Sequence, residues 1–172
     1  PVCSGAEIGA DGTRVWSDLT VLADAINWAG DLDAVCPQRF TDAVAPNVSA
    51  GLEGREVDDE LLRTGIQRWE QTADYVVIEG AGGLLCPLSD HTTGAELAAD
   101  LHAPLVIVAA NRLGVINHTL LTVEVARSRG LTTAAVVLNC CELPGDVSDP
   151  SIDTNQNQLQ HWLPDVPILE CR

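Results

Sequence analysis

The sequence contains no lysine and no methionine, and its nine basic residues, all arginine, face 25 acidic residues. The resulting formal net charge of −16 leaves no basic stripe that could neutralise nucleic-acid phosphates or attach to an anionic membrane. No apolar run is long enough to cross a bilayer, and no signal peptide opens the chain. We therefore expect a cytoplasmic protein that binds neither nucleic acid nor membrane. Because the first residue is Pro1 and not methionine, we also expect the chain to be incomplete.

A disulfide framework is not indicated either. The cysteines lack the density of small secreted domains, and the adjacent pair at 140 and 141 lacks the Cys-x-x-Cys spacing that metals favour. We predict that all six are reduced and mostly buried: Cys3, Cys36, Cys86, Cys140, Cys141 and Cys171.

A hydrophobic content of 46% over 172 residues is enough for one compact domain with a core, which we place at 1–172. Short β-branched runs alternate with helical patterns from Asp74 onward, which predicts a mostly parallel sheet with helices on both faces, a three-layer α/β fold. The predicted strands are Tyr75–Ile78, Leu105–Ala109, Ala134–Leu138 and Val166–Leu169, and the helices between them are Thr93–Leu101, Ile116–Arg129 and Gln156–Leu163.

The part of the chain before Asp74 is less regular. We predict one helix from Asp18 to Ala29, stopped by Gly30, and a second from Asp58 to Gln71 with acids in its first turn. The segment between them, Phe40–Glu56, contains a proline and two glycines and is predicted to be an irregular loop.

Polar residues follow three of the predicted strands, namely Glu79, Asn111 and Asn139. Ligands of open α/β sheets bind beyond the carboxyl ends of the strands, so we expect the chemistry there. Glu79 is followed by Gly80-Ala81-Gly82-Gly83, where a carboxylate could bind Mg²⁺ and glycines could let the backbone approach phosphate. Composition alone leaves an ordinary glycine turn equally compatible with this stretch.

Four segments, in order and spanning nearly the whole chain, resemble the dethiobiotin synthetase family. They are Val77–Asp90 around Glu-Gly-Ala-Gly-Gly, Asn111–Thr122 around Arg-Leu-Gly-Val-Ile-Asn-His, the opening Pro1–Gly5, and Val137–Asn139. The resemblance implies a fold like that of the P-loop nucleoside triphosphatases, whose first strand and phosphate-binding loop have no counterpart in this chain.

The resemblance also implies roles for particular residues. Asp18 and Glu79 would bind Mg²⁺. An acid at the start of a helix, as at Asp18, often only interacts favourably with the helix dipole. Positions 114–117 open a predicted helix, so their free N–H groups could bind an anion. His118, in the first turn of that helix, is left out of the catalytic set. The implied substrate-binding residues are Ser4, Gly114, Val115, Ile116 and Asn117, and the implied ATP-binding residues are Asp18, Glu79, Gly80, Ala81, Gly82, Asn139, Cys140, Pro167, Ile168 and Leu169.

The family closes the ureido ring of dethiobiotin from 7,8-diaminononanoate, CO₂ (or bicarbonate) and ATP with Mg²⁺, and it works as a homodimer. A dimer also suits the helix from Ile116, which carries Ile116, Leu120, Leu121, Val123 and Val125, although a well-buried helix explains that pattern equally well. The family's catalytic lysine should directly precede Pro1, so we predict no catalytic residue in this chain and no turnover by these 172 residues alone.

Two other functions remain open. One is an amide-forming ligase of the cobyrinate or CTP synthase type, which lacks the Arg-Leu-Gly-x-Ile-Asn-His run. The other is an inactive, synthetase-like regulatory or interaction domain. The absence of lysine favours the latter, and the preserved run at Asn111–Thr122 argues against it.

Overall fold

The computed structural model describes residues 1–140 and 149–171. The chain divides into two compact units, Pro1–Leu97 and Ala98–Arg172. Among the described residues, every helix is too short or too polar to span a membrane.

The first unit contains short elements joined by long connections. Its strands are β1 (Val2–Cys3), β2 (Glu7–Ile8), β3 (Arg14–Val15) and β4 (Gln38–Arg39), its helices are α1 (Ser17–Ala25), α2 (Pro46–Leu52), α3 (Asp59–Thr64) and α4 (Gln67–Glu70), and a 3₁₀ turn covers Leu32–Ala34. Strand β1 pairs parallel with β4, and β2 pairs antiparallel with β3.

Side chains tie the short elements of the first unit together. The Gln38 side chain donates to the Asp58 carbonyl at 3.0 Å and accepts from the Asp58 N–H at 2.7 Å, which joins β4 to the start of α3. Phe40 and Leu62, which lie close in sequence to Gln38 and Asp58, are fully buried. Strand β4 and the start of α3 are therefore held together by specific side-chain hydrogen bonds.

The second unit contains a parallel three-stranded sheet in the order β5-β6-β7. Helix α5 (Gly94–Asp100) leads into it, and its elements are β5 (Leu105–Ala110), α6 (Val115–Ser128), β6 (Thr133–Asn139), α7 (Ile152–Trp162) and β7 (Ile168–Cys171). Parallel neighbours need a crossover connection, which α6 and α7 supply. Both helices pack on one face of the sheet, around a buried core that includes Val123, Val136, Leu138, Leu159 and Ile168.

Several predicted elements are confirmed. The α/β class, the mostly parallel pairing and the strands of the second unit are as expected, and the helices at 94–100 and 115–128 lie within one or two residues of their predicted bounds. The helix predicted over Gln156–Leu163 is longer, Ile152–Trp162, and the last strand begins two residues later than predicted. The loop predicted after Asn139 lies mostly outside the described residues, as does Cys141. The other five cysteines are free thiols, but the prediction that they are mostly buried is wrong, because only Cys36 is buried.

The prediction of a buried strand at Tyr75–Ile78 is wrong. None of the described strands pairs with these residues, and the side chains of Tyr75 and Val77 are each 90% exposed. A β-branched run favours extended backbone, but a strand forms only where a neighbouring strand accepts and donates its hydrogen bonds.

Three predictions for the first unit also need correction. The Phe40–Glu56 segment contains helix α2, because Pro46 takes the first helical position, where its missing N–H is not needed. The predicted Asp58–Gln71 helix is interrupted into α3 and α4 at Gly65, a residue with poor helix propensity. The Asp18–Ala29 helix ends at Ala25, since Asn27 adopts a φ of 51°, which cannot continue a right-handed helix.

Candidate active site

A cavity of about 760 Å³ in the first unit is lined by all six predicted site residues of that unit. Its wall includes Ser4, Asp18, Glu79 and the three residues Gly80, Ala81 and Gly82. These residues come from three distant parts of the sequence, so the fold brings together what the motifs only suggested.

Ser4 lies immediately after β1. Its hydroxyl donates a hydrogen bond to the Val44 carbonyl at 2.6 Å. A hydroxyl has one proton and two lone pairs, so this bond leaves the Ser4 oxygen as an acceptor for a donor group such as an amine.

Asp18 is the second residue of α1, where an acid is favoured by the positive end of the helix dipole. Trp16, the N-cap residue of this helix, helps to fix its start, because the Trp16 indole N–H donates to the Phe40 carbonyl at 2.9 Å. The Asp18 carboxylate is exposed and lines the cavity.

Glu79 follows residues 75–78, which belong to no helix or strand, and it too is exposed on the cavity wall. The loop after it turns sharply: Gly82 has a φ of 76°, and the Cys86 N–H donates to the Gly83 carbonyl at 2.8 Å. A Cβ atom added to Gly82 would lie 3.1 Å from the Cys86 sulfur, so the loop needs glycine there for both conformation and space.

The carboxylates of Asp18 and Glu79 fit a Mg²⁺ ion. Both are exposed, both line one cavity, and oxygen ligands are what this hard cation prefers. Within the described ranges, no group of three or more His, Cys, Asp and Glu side chains forms a metal cluster. Two carboxylates suffice for Mg²⁺ when water and substrate phosphates complete its shell.

In the second unit, a buried amide network lies at the carboxyl edge of the sheet. The side-chain amide of Asn155, on α7, donates to the Asn111 side-chain oxygen at 2.8 Å, and both residues are at most 5% exposed. The Asn111 N–H donates to the Asn139 carbonyl at 2.9 Å. The predicted ATP-binding residues Asn139 and Cys140 are thus held at this edge, next to Cys171 of β7.

Pro167, Ile168 and Leu169 lie at the other end of β7. Ile168 pairs with Val136 and Cys171 pairs with Asn139, so Ile168 and the carboxyl edge are separated by three residues, or about 10 Å of strand. The Pro167 carbonyl accepts from the Val136 N–H, and the Ile168 carbonyl accepts from the Gln156 side chain. The assignment of these three residues to ATP remains a prediction.

Helix α6 begins at the predicted anion site. Gly114 caps it with a φ of 96°, and the Val115 N–H donates to the Arg112 carbonyl at 3.1 Å. The next N–H groups, those of Ile116 and Asn117, lie in the first turn, where a helix has no internal acceptors for them. They are therefore the groups of this stretch best placed to bind a carboxylate.

Two residues of this region were not singled out from the sequence. Asn155 supports Asn111, and Asp149 accepts from the Leu113 N–H at 2.7 Å, which fixes the loop before α6. Hydrogen bonds from Ser151 and Leu113 hold the pKa of Asp149 below its ordinary value. Nothing in the local sequence marks either residue, because each acts through a partner about 40 positions away.

Comparison with known proteins shows which family the chain belongs to. A family described as an AAA domain matches residues 7–169, which agrees with the predicted three-layer α/β class. The ATP-dependent dethiobiotin synthetase BioD of Rhodopirellula baltica is 40% identical over 172 residues, covering 94% of this chain and 66% of the relative. The enzyme of the same name from Anaeromyxobacter sp. strain K is 40% identical, covering 88% of this chain and 67% of the relative.

The ATP-dependent dethiobiotin synthetase BioD 1 of Escherichia coli K12 is 37% identical over 145 residues, covering 84% of this chain and 64% of the relative. The chain thus spans about two thirds of the length of the curated relatives it matches.

Proposed function

The chain belongs to the ATP-dependent dethiobiotin synthetase family, and from this membership we propose that it provides metal-, phosphate- and diamine-binding surfaces of an enzyme that makes dethiobiotin. The observation that carries the proposal is the single cavity lined by Ser4, Asp18, Glu79 and the loop from Gly80 to Gly82.

The reaction has three steps. One amine of 7,8-diaminononanoate adds to CO₂ and loses a proton, which gives a carbamate. A carbamate oxygen attacks the γ-phosphorus of ATP, and ADP leaves. The second amine then attacks the carbamate carbon of the mixed anhydride, phosphate leaves, and the five-membered urea closes. Catalysis of such phosphoryl transfers depends mainly on positioning and on neutralising charge.

Ser4 orients the diamine in this proposal. Because its proton is donated to the Val44 carbonyl, its oxygen accepts a hydrogen bond from a substrate amine. A group that only accepts distinguishes an amine N–H from a carboxylate, so Ser4 favours the amine end of the substrate at this point of the wall.

Asp18 and Glu79 are the residues that would hold Mg²⁺, which when bound neutralises phosphate charge. The glycine loop after Glu79 lets the backbone approach the phosphates, since a side chain at Gly82 would meet Cys86. In the second unit, the strand-end residues Asn139 and Cys140 would contact the adenine.

The N–H groups of Ile116 and Asn117 would bind the substrate carboxylate. In the proposed homodimer this helix start serves the site of the partner subunit. A two-fold contact uses the same patch on both subunits, so each would complete the site of the other.

The test is the Glu79→Gln variant. The amide keeps the size of the side chain but removes the charge, so Mg²⁺-dependent binding of a non-hydrolysable ATP analogue should weaken by roughly tenfold or more. Calorimetric titration with and without Mg²⁺ measures this on the 172-residue protein, and dethiobiotin formation from diaminononanoate, bicarbonate and MgATP measures it on the complete enzyme.

Glu70→Gln is the matched control, because Glu70 is an exposed acid on α4 that lies outside the cavity. It should bind the analogue as the wild type does. Equal Mg²⁺ dependence in Glu79→Gln and the wild type would show that Glu79 does not hold the metal.

A further inference from the structure

Asp149, which precedes α7, bonds two different segments of the second unit. Its Oδ2 accepts from the Leu113 N–H at 2.7 Å, and its Oδ1 accepts from the Ser151 N–H at 2.9 Å. Leu113 lies in the loop before α6, and Ser151 is the N-cap residue of α7. One carboxylate therefore fixes the position of the α6 loop relative to the start of α7.

Asn155, in the first turns of α7, holds the beginning of the same loop. Its side-chain amide donates to the Asn111 side-chain oxygen at 2.8 Å, and the Asn111 amide donates to the Cys140 sulfur at 3.5 Å. Both asparagines are buried, so these bonds form in a region of low dielectric constant, where they are stronger than in water. The loop at 111–114 is thus bonded to the α7 region at two points.

We propose that Asp149 and Asn155 are positioning residues for the substrate carboxylate, acting through the loop before α6. This role rests on the function proposed above, in which the start of α6 binds that carboxylate. Asp149 and Asn155 do not themselves contact a substrate in this arrangement. They hold the loop in the one conformation that directs its N–H groups at the anion.

The part of the site that Asp149 controls is the loop side. Gly114 follows Leu113 directly, so the peptide between them carries the Gly114 N–H, the first of the predicted anion-binding groups. From Val115 onward the helix is held by the buried core. Gly114 has a φ of 96°, and because glycine permits many other conformations, the contacts of the loop must select this one. Loss of the Asp149 bond should therefore loosen the Gly114 N–H while the helix stays folded.

The test compares two vicinal diamines on the complete enzyme. One is 7,8-diaminononanoate, and the other is 2,3-diaminononane, which has the same carbon skeleton with a methyl group in place of the carboxylate. The wild type should prefer the first in kcat/KM. Asp149→Ala should lower that preference about tenfold, which corresponds to one hydrogen bond to a charged group, through a higher KM for 7,8-diaminononanoate. Its kcat/KM for 2,3-diaminononane and its KM for ATP should equal those of the wild type.

Asn155→Ala should lower the same preference and should also raise the KM for ATP, because Asn111 contacts Cys140, an adenine-binding residue in the proposed function. Since Asn155 is buried and its loss also destabilises the fold, the result for the partly buried Asp149 is decisive. Asp153→Ala is the matched control, because Asp153 is an exposed acid in the first turn of α7, and it should keep the wild-type preference.

Two results would count against these roles in different ways. An Asp149→Ala enzyme that keeps the wild-type preference for the carboxylate would overturn the positioning role and leave the carboxylate site at α6 intact. A wild-type enzyme that closes the ring of both diamines with equal kcat/KM would contradict the carboxylate site itself, and the positioning role with it.

Discussion

Gly82 and Gly83 are neighbours in the loop after Glu79, but they place different demands on the backbone. Gly82 has a φ of 76°, in the left-handed region, and an added Cβ would meet the Cys86 side chain at 3.1 and 3.2 Å. An added Cβ on Gly83 would meet nothing within 4 Å. Two glycines that look interchangeable in the sequence therefore provide a variant and its control.

Gly82→Ala should distort the loop and weaken binding of an ATP analogue, with a stability cost of about 1–3 kcal/mol for the strained backbone. Gly83→Ala should change both quantities little. Chemical denaturation and calorimetry on the two variants measure the difference. If both substitutions were equally tolerated, the loop would not have the conformation described.

At the scale of residues, the sequence indicated cavity-lining residues where each residue belongs to a local motif. Ser4, Asp18 and Glu79 stand in recognisable motifs, and all three line one cavity. Asn155 could not be found in the same way, because its role is a buried hydrogen bond to Asn111, 44 positions earlier. The residues next to Asn155 in the sequence do not indicate a hydrogen-bond partner so far away along the chain.

At the scale of elements, helix α3 is joined to the segment after the glycine loop through one carboxylate. The Asp59 carboxylate accepts from the hydroxyls of Ser89, at 2.7 Å, and Thr92, and Arg63 lies one helical turn away. Partial burial raises the pKa of Asp59, but the two hydroxyl hydrogen bonds and the Arg63 charge outweigh it, so the pKa lies below its ordinary value.

A carboxylate whose pKa is lower in the folded state stabilises the fold above its unfolded pKa of about 4. That stabilisation is lost as the pH falls through the lower folded-state value. Asp59→Asn should therefore be less stable than the wild type at pH 7, and the difference should shrink below about pH 4.

Urea denaturation at several pH values measures this dependence. Glu60→Gln is the control, because Glu60 is an exposed acid in the same first turn of α3. A difference between Asp59→Asn and the wild type that does not change with pH would mean that packing, and not charge, is responsible.

The strands of the second unit could be predicted because each carries its own β-branched run and finds a parallel neighbour. Tyr75–Ile78 carries a similar run but pairs with none of the described strands, so local preference alone did not decide its structure. The helix at Pro46–Leu52 was missed for the opposite reason, since proline and glycine were taken as loop signals where proline begins a helix.

At the scale of the whole molecule, the question is whether two chains associate. Most of the apolar residues on α6 serve its own unit: Val123 is fully buried in the core, and Ile116 and Leu120 pack against that core. Leu121, on the same helix, is 58% exposed, and Leu113, just before it, is 82% exposed. These two side chains are the part of the apolar pattern that burial within the unit does not explain.

We predict that Leu121→Glu converts the proposed homodimer into monomers and weakens diamine binding at the same time, while ATP analogue binding changes less. Because a two-fold contact uses the same surface of both subunits, the substitution would place one carboxylate on each side of the contact. Sedimentation velocity and calorimetry measure the two effects. Leu52→Glu is the matched control, because Leu52 is 67% exposed on α2, a helix of the first unit.

Ionic strength gives an independent measure of the same association. Each chain has a formal net charge of −16, so two copies repel each other at long range, and salt screens that repulsion within about 10 Å at 0.1 M. Dimerisation through an apolar contact should therefore strengthen as salt is raised from low to physiological concentration, since burial of leucine does not depend on charge. A contact formed by the surface ion pairs of arginine would instead weaken with salt. A complete enzyme that remains monomeric and fully active at assay concentration in both salt conditions would contradict the dimer and, with it, the shared diamine site.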